Sequence, residues 1–192
     1  VGEKVMITND FDLSNFSFIK IEGDWKVDIQ SGKDFLVDIT ADKEFFKSLV
    51  VEVQDETLLL GSLSNINFKD TVVANIHLPV LQQVEAFGKC NIIADNLSNK
   101  DIAITLNGGC NAQLSGIVES LTADISGSCM LNAIALACVK ADVTINGTSI
   151  VKTSAMDILN VNIQGDGIVE YSNDPEITQN IYGKGKVVKT TA

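Results

Sequence analysis

A single histidine, two prolines and no apolar run near the roughly 18 residues of a membrane-spanning helix restrict what this sequence can encode. The lone histidine, His77, sits beside Pro79 with no nucleophile at a recognisable spacing, which argues against a serine-type triad. The four cysteines, Cys90, Cys110, Cys129 and Cys138, fall in no CxxC-type spacing, so neither a zinc site nor any other metal or cofactor is expected. Clustered basic residues are missing too. A net charge of −11 and a pI near 4.4 exclude a nucleic-acid partner and disfavour an anionic membrane surface, because phosphate neutralisation needs grouped cations. No signal peptide is evident, yet the chain opens abruptly on Val1-Gly2-Glu3, so removal of an upstream export or lipid-anchor segment is expected.

What is present is β-forming. Hydrophobic residues make up 45% of the 192 positions and charged residues 20%, the balance of a globular domain with a real core, and Val, Ile and Thr are abundant. From residue 84 onward a glycine recurs: Gly88, Gly108, Gly127, Gly147, Gly165 and Gly183 are 20, 19, 20, 18 and 18 residues apart. Two places before each lie Ala86, Leu106, Ile125, Ile145, Ile163 and Ile181; four places after lie Ile92, Ala112, Leu131, Val151, Val169 and Val187. The odd positions before each glycine are mostly polar. Each unit therefore reads as strand, tight turn, strand, with one dry and one wet face. Nine places after the glycine, Leu97, Ile117, Leu136 and Met156 suggest a second apolar corner. A helix-free repeat of 18–20 residues is the signature of a parallel β-solenoid, and the leucine-rich frame of similar length is absent. In such a stack Cys90, Cys110 and Cys129 form an inward ladder of small packed hydrophobes, not disulfides.

The first 79 residues are less regular. Ile19, Ile21, Val27 and Ile29 alternate around Gly23 as one outlying copy of the unit. Strands are expected over 34–40 and 72–78, a hairpin over 50–60 around Gln54-Asp55-Glu56, and one short helix over 41–49. The expected organisation is a single domain over 1–192. Residues 1–79 supply the first coil and an irregular capping region, and 80–192 the regular coils. In the last coil Gln179 and Lys189 occupy inward positions beside Lys184 and Lys186, as suits an edge protected from end-to-end pairing.

Any chemistry must lie on the outward faces. Aligning the repeats puts Asp124 and Asp142 diagonally on adjacent coils, among Thr105, Thr122, Thr144, Asn160 and Asn162. Two carboxylates are the minimum for acid–base catalysis or calcium binding. No aromatic or cationic side chain is expected to join them, so no catalytic residue is assigned, and the seven residues are read as a polar ligand face. Gly165-Asp-Gly167 and Gly183-Lys-Gly185 resemble phosphate-loop fragments but lie between strands, with no helix N-terminus to hold a phosphate.

The turns Leu106-Asn-Gly-Gly-Cys110, Ile125-Ser-Gly-Ser-Cys129, Ile145-Asn-Gly-Thr-Ser149, Ile163-Gln-Gly-Asp-Gly167 and Ile181-Tyr-Gly-Lys-Gly185, with the strand Ile76-His-Leu-Pro79 and the early Gly23 copy, resemble a bacterial family of unknown function, the putative autotransporter adhesin, head GIN domain. Family members usually carry Gly-Ser-Gly at these turns, whereas cysteine or serine often takes the third place here. The resemblance implies a right-handed parallel β-helix exported to a Gram-negative cell envelope, on its periplasmic or outer side, and no catalytic residues. Three functions follow as expectations: a non-enzymatic surface protein binding a polysaccharide or a host or cell-surface protein, possible as a homo-oligomer (a trimer by analogy); a carbohydrate-active enzyme like the pectin-lyase solenoids, centred on Asp124 and Asp142; and a structural spacer.

Overall fold

The computed structural model describes residues 4–63 and 71–190; the Val1-Gly2-Glu3 start lies outside them. Two walls of parallel strands enclose the core. The first wall runs β5 (Leu49–Gln54), β6 (Thr57–Ser62), β2 (Phe18–Gly23), β8 (Gln83–Gly88), then the later halves of β9 (Asn91–Gly108), β10 (Asn111–Gly127), β11 (Met130–Gly147) and β12 (Ile150–Gly165), and ends in β14 (Glu176–Tyr182). The second runs β1 (Met6–Asp10), β4 (Leu36–Asp42), β7 (Val72–Leu78), β3 (Trp25–Ser31), the earlier halves of β9 to β12, β13 (Ile168–Tyr171) and β15 (Lys186–Lys189). Each long strand crosses from one wall to the other, so the expected parallel solenoid is what forms.

Glycine marks the corner between the walls. Gly23 pairs with Gly88, and the register continues Gly88–Gly108–Gly127–Gly147–Gly165. At Gly127 φ is +94°, and a Cβ there would lie 2.5 Å from the carbonyl oxygen of Gly108 in the coil beneath. Both the backbone twist and the close approach exclude a side chain. The reason for the approach is a hydrogen bond: that same Gly108 oxygen accepts from Ser128 N at 2.9 Å, and the ladder thereby continues around the bend.

Inside the corner the cysteines do what the packing argument anticipates. All four are free and buried. The Cys90 and Cys110 thiols donate to the glycine oxygens of Gly23 and Gly88, each at 3.4 Å, and the Ser149 hydroxyl donates to Gly127 O at 3.0 Å in the equivalent place. Thiol and hydroxyl are thus alternative plugs for one hole. Contact with Cys110 and burial push the Cys90 and Cys129 thiols up, and burial pushes Cys138 up to about 11. Hydrogen bonding with Cys129 and Cys90 instead pulls the Cys110 thiol down.

The other corner corrects one expectation. Leu97 and Leu136 are buried, but Ile117 is 71% and Met156 55% exposed. Register shifts between Leu114 and Gly116 and between Cys138 and Lys140 absorb the differing coil lengths at this corner. Inward places there fall to Val118 and Ala155 instead.

The capping region is more ordered than its sequence suggests. The Gly23 copy is no outlier: β2 and β3 are sandwiched between the later coil (β8 and early β9) and a further layer made by β6 and β7, which run parallel to them. Antiparallel β5 closes the first wall, and antiparallel β4 and β1 close the second. The strands and the hairpin form as expected. The helix expected over 41–49 does not; only a single 3-10 turn, Phe46–Ser48, is present. Asp42 accepts from Glu44 N, ending β4 in a local turn, while adjacent Phe45 and Phe46 both pack on the core, a demand that one helical stripe cannot meet.

Candidate functional site

The seven residues of the expected ligand face come together on the outward side of the first wall, in two adjacent rows. One row reads Thr105, Asp124, Thr144, Asn162, Asn180 on successive coils; the other reads Thr122, Asp142, Asn160, Thr178. Alternation produces them, because the neighbours Ala123, Ile125, Val143 and Ile145 point inward and are buried. Equivalent side chains therefore recur at the strand spacing of about 4.8 Å.

Adjacent polar groups on the rows bond along the stack. Asn160 Nδ2 donates to Asp142 Oδ1 at 2.7 Å, and Asn180 Nδ2 donates to Asn162 Oδ1 at 3.2 Å. The two carboxylates are diagonal neighbours, as the alignment requires: Asp124 lies opposite Thr144, and Thr122 opposite Asp142. The expectation that no cation joins them is corrected. Lys140, on the same strand as Asp142 and two places earlier, sits with Nζ 3.5 Å from Asp142 Oδ2. Asp142 is thereby held by an ammonium and an amide at once, whereas Asp124 has no such partner among the described residues. Among the described residues no three His, Cys, Asp or Glu side chains converge as a metal site would require.

The same rows continue past the expected face. Towards the cap one row continues through Glu85 to Lys20, and the other passes the apolar Ala103 before reaching Gln83 and Phe18, with Phe87 at the neighbouring outward place. Towards the far end Tyr182 stands next to Asn180, largely exposed. Sequence reasoning missed these residues although its own frame contains them: counting five and three places back from Gly23 and Gly88 lands on Phe18, Lys20, Gln83 and Glu85.

A glycine-cornered parallel solenoid with an antiparallel cap and a polar outward ladder defines the class, an all-β solenoid domain. The chain belongs to the family described as putative auto-transporter adhesin, head GIN domain, whose model matches residues 15–175. No curated protein sequence matches it. Among solved structures it is similar to a putative adhesin from Bacteroides fragilis (18% identity, 98% of each chain covered, TM-score 0.72) and to a putative adhesin from Parabacteroides distasonis (19%, 98% of each, 0.63). A putative lipid binding protein from Parabacteroides distasonis is also similar (20%, 97% of each, 0.58). At these identities the likeness is one of fold.

Proposed function

We propose that this is a non-catalytic adhesion domain of the bacterial surface or envelope, and that it holds an extended polysaccharide along the outward face of its first wall. The observation that carries this reading is the pair of in-register rows through Thr105, Asp124, Thr144 and Asn162 and through Thr122, Asp142 and Asn160. Their repeat of about 4.8 Å is close to the advance of one pyranose along an extended glycan. Each successive sugar therefore meets outward side chains at the same spacing, most of them hydroxyl, amide or carboxylate, which suits a polymer and not a compact ligand. The family's adhesin description supports both the binding role and the surface or envelope location.

The catalytic alternative asks for a free base beside a free cation. Lys140 supplies a cation, but it is paired with Asp142, and the chain has no arginine to serve beside Asp124. Binding to a panel of neutral and acidic polysaccharides, with product analysis on the same samples, tests the reading. Saturable binding without turnover, weakened by Asp124→Ala with Thr144→Ala, is the expected result. Product that disappears in Asp124→Ala or Asp142→Ala would establish the enzyme instead.

A further inference from the structure

Where the two polar rows meet the cap, the flat face becomes a groove of about 360 Å³, lined by Phe18, Lys20, Gln83, Glu85, Leu59 and Asp55. That volume lies near the lower end of small-ligand sites, the size for one or two sugar rings. Phe18 is flanked in register by Thr57 and Gln83, and Lys20 by Leu59 and Glu85, so the floor is an aromatic ring with an amide and a carboxylate beside it. The end wall is the two-residue turn of the β5–β6 hairpin. Its residues, Asp55 and Glu56, both adopt positive φ (50° and 62°), a conformation usual for Asn-Gly and uncommon for glutamate. The turn is nevertheless tied down, since Glu56 O accepts from both Ser17 N (3.0 Å) and Phe18 N (3.2 Å). A non-glycine turn held in this region against its own preference is the kind of strain that accompanies ligand clamps.

We infer that this groove is a sugar subsite that seats the terminal pyranose of a neutral glycan, with Phe18 under the apolar face of the ring and Gln83, Glu85 and Asp55 taking its hydroxyls. Aromatic floor and polar rim together match a pyranose, which has one CH-rich face and an equatorial belt of hydroxyls, and match neither a lipid tail nor a purely ionic ligand. Gln83 Nε2 donates to Glu85 Oε1, which orients the carboxylate and leaves its second oxygen to accept from a ligand. The sign of the groove selects against acidic sugars. Lys20 Nζ lies 3.5 Å from Glu22 Oε1 and 5.7 Å from the centre of the Phe87 ring, so its charge is already engaged, while the carboxyl groups of Glu85 and Asp55 line the groove. The groove lies at the cap end of the rows with the β5–β6 turn at its flank, so it takes the sugar at that end of the bound chain and sets the direction in which the rest of the glycan runs. This inference rests on the reading of the rows as a glycan face.

The test is titration of the 15N-labelled protein with the methyl glycosides of glucose, galactose and mannose, and with methyl glucuronoside as the acidic control, alongside polysaccharide binding. At least one neutral glycoside is expected to shift the amides of Phe18, Lys20, Gln83 and Glu85 saturably, more tightly than the glucuronoside. Binding should weaken at least tenfold in Glu85→Gln and in Phe18→Leu, which keeps an apolar residue of similar size in the strand, and persist in Phe18→Tyr. No saturable shift with any neutral glycoside, or unchanged binding in Phe18→Leu, would overturn the inference. The two readings separate cleanly. Polymer binding identical in wild type and Phe18→Leu leaves the face and removes the groove. Glycoside binding at the groove with no polymer binding leaves the subsite and removes the face.

Discussion

At Gly127 two requirements coincide, a positive φ and a carbonyl oxygen 2.5 Å from where a Cβ would stand. Gly127→Ala must therefore move backbone in two coils, and we expect a loss of about 2–4 kcal/mol in urea unfolding. Gly109 lies in the neighbouring corner with nothing within 4 Å of its ideal Cβ. Gly109→Ala should fall within about 0.5 kcal/mol of wild type. Equal effects of the two would show that the ladder is not what requires glycine. The thiols make a matching case for plugs. Cys110→Ser should cost less than Cys110→Ala, since Ser149 already fills the equivalent hole through its hydroxyl. Cys138 adds a pH dependence. Burial lifts its folded pKa to about 11, above the ordinary thiol value of 9.0, so the unfolded chain loses this proton first. The stabilisation is complete below pH 9 and fades as pH rises towards 11. The fade should be smaller in Cys138→Ala by roughly 1–2 kcal/mol, on the scale of about 1.36 kcal/mol for each pKa unit. These residue roles were legible in part. The glycine interval and the inward place of the cysteines can be read from spacing alone, but the carbonyl that each glycine admits belongs to a residue about twenty positions earlier, or 65 earlier for Gly88.

At the scale of elements, alternation identified the strands wherever one face is dry and the other wet, as in β10 to β12. It failed where the chain turns twice within one coil. Coils of 18, 19 and 20 residues share one glycine corner, so the surplus gathers at the other, and bulges there turn Ile117 and Met156 outward. Fixed-interval counting has no access to a bulge. The expected short helix failed for a related reason: the acidic start was real, but its two phenylalanines serve a sheet core and not a helical stripe. The layer formed by β6 and β7 was also hidden, because it joins the stack out of chain order and carries no glycine in register with Gly23. The β5–β6 turn offers a prediction of its own. Replacing Asp55-Glu56 by Asn-Gly relieves positive φ at two ordinary residues and should stabilise the domain by about 1 kcal/mol in thermal or urea unfolding. The same change removes the Asp55 carboxylate from the groove, so a gain in stability with a loss of glycoside affinity is the expected combination.

Over the whole molecule, function separates from the repeat that builds it. The glycines and thiols face inward or lie at the corner, and the two walls present different surfaces. The seven face residues were legible because outward places of a solenoid follow directly from the repeat frame. Lys140 was not, because it lies beyond the positions compared, and neither was the groove, which needs the cap hairpin to be placed against β2. Side-to-side assembly, if the expected homo-oligomer forms, has an evident candidate surface in the corner that exposes Ile117, Val139, Met156 and Ile158. Ile117→Lys should then lower the molar mass seen by light scattering, while an unchanged mass would place the contact elsewhere. From β2 to β14 the long face spans six coil spacings, roughly 29 Å, which corresponds to about six sugars. The most direct test is affinity against chain length for a neutral oligosaccharide series from one to ten units, taken from whichever polysaccharide binds in the panel. The account predicts affinity that climbs with each added sugar up to about six and then levels off, without cleavage of the chain. An affinity independent of length, or cleavage of the longer members, would contradict it.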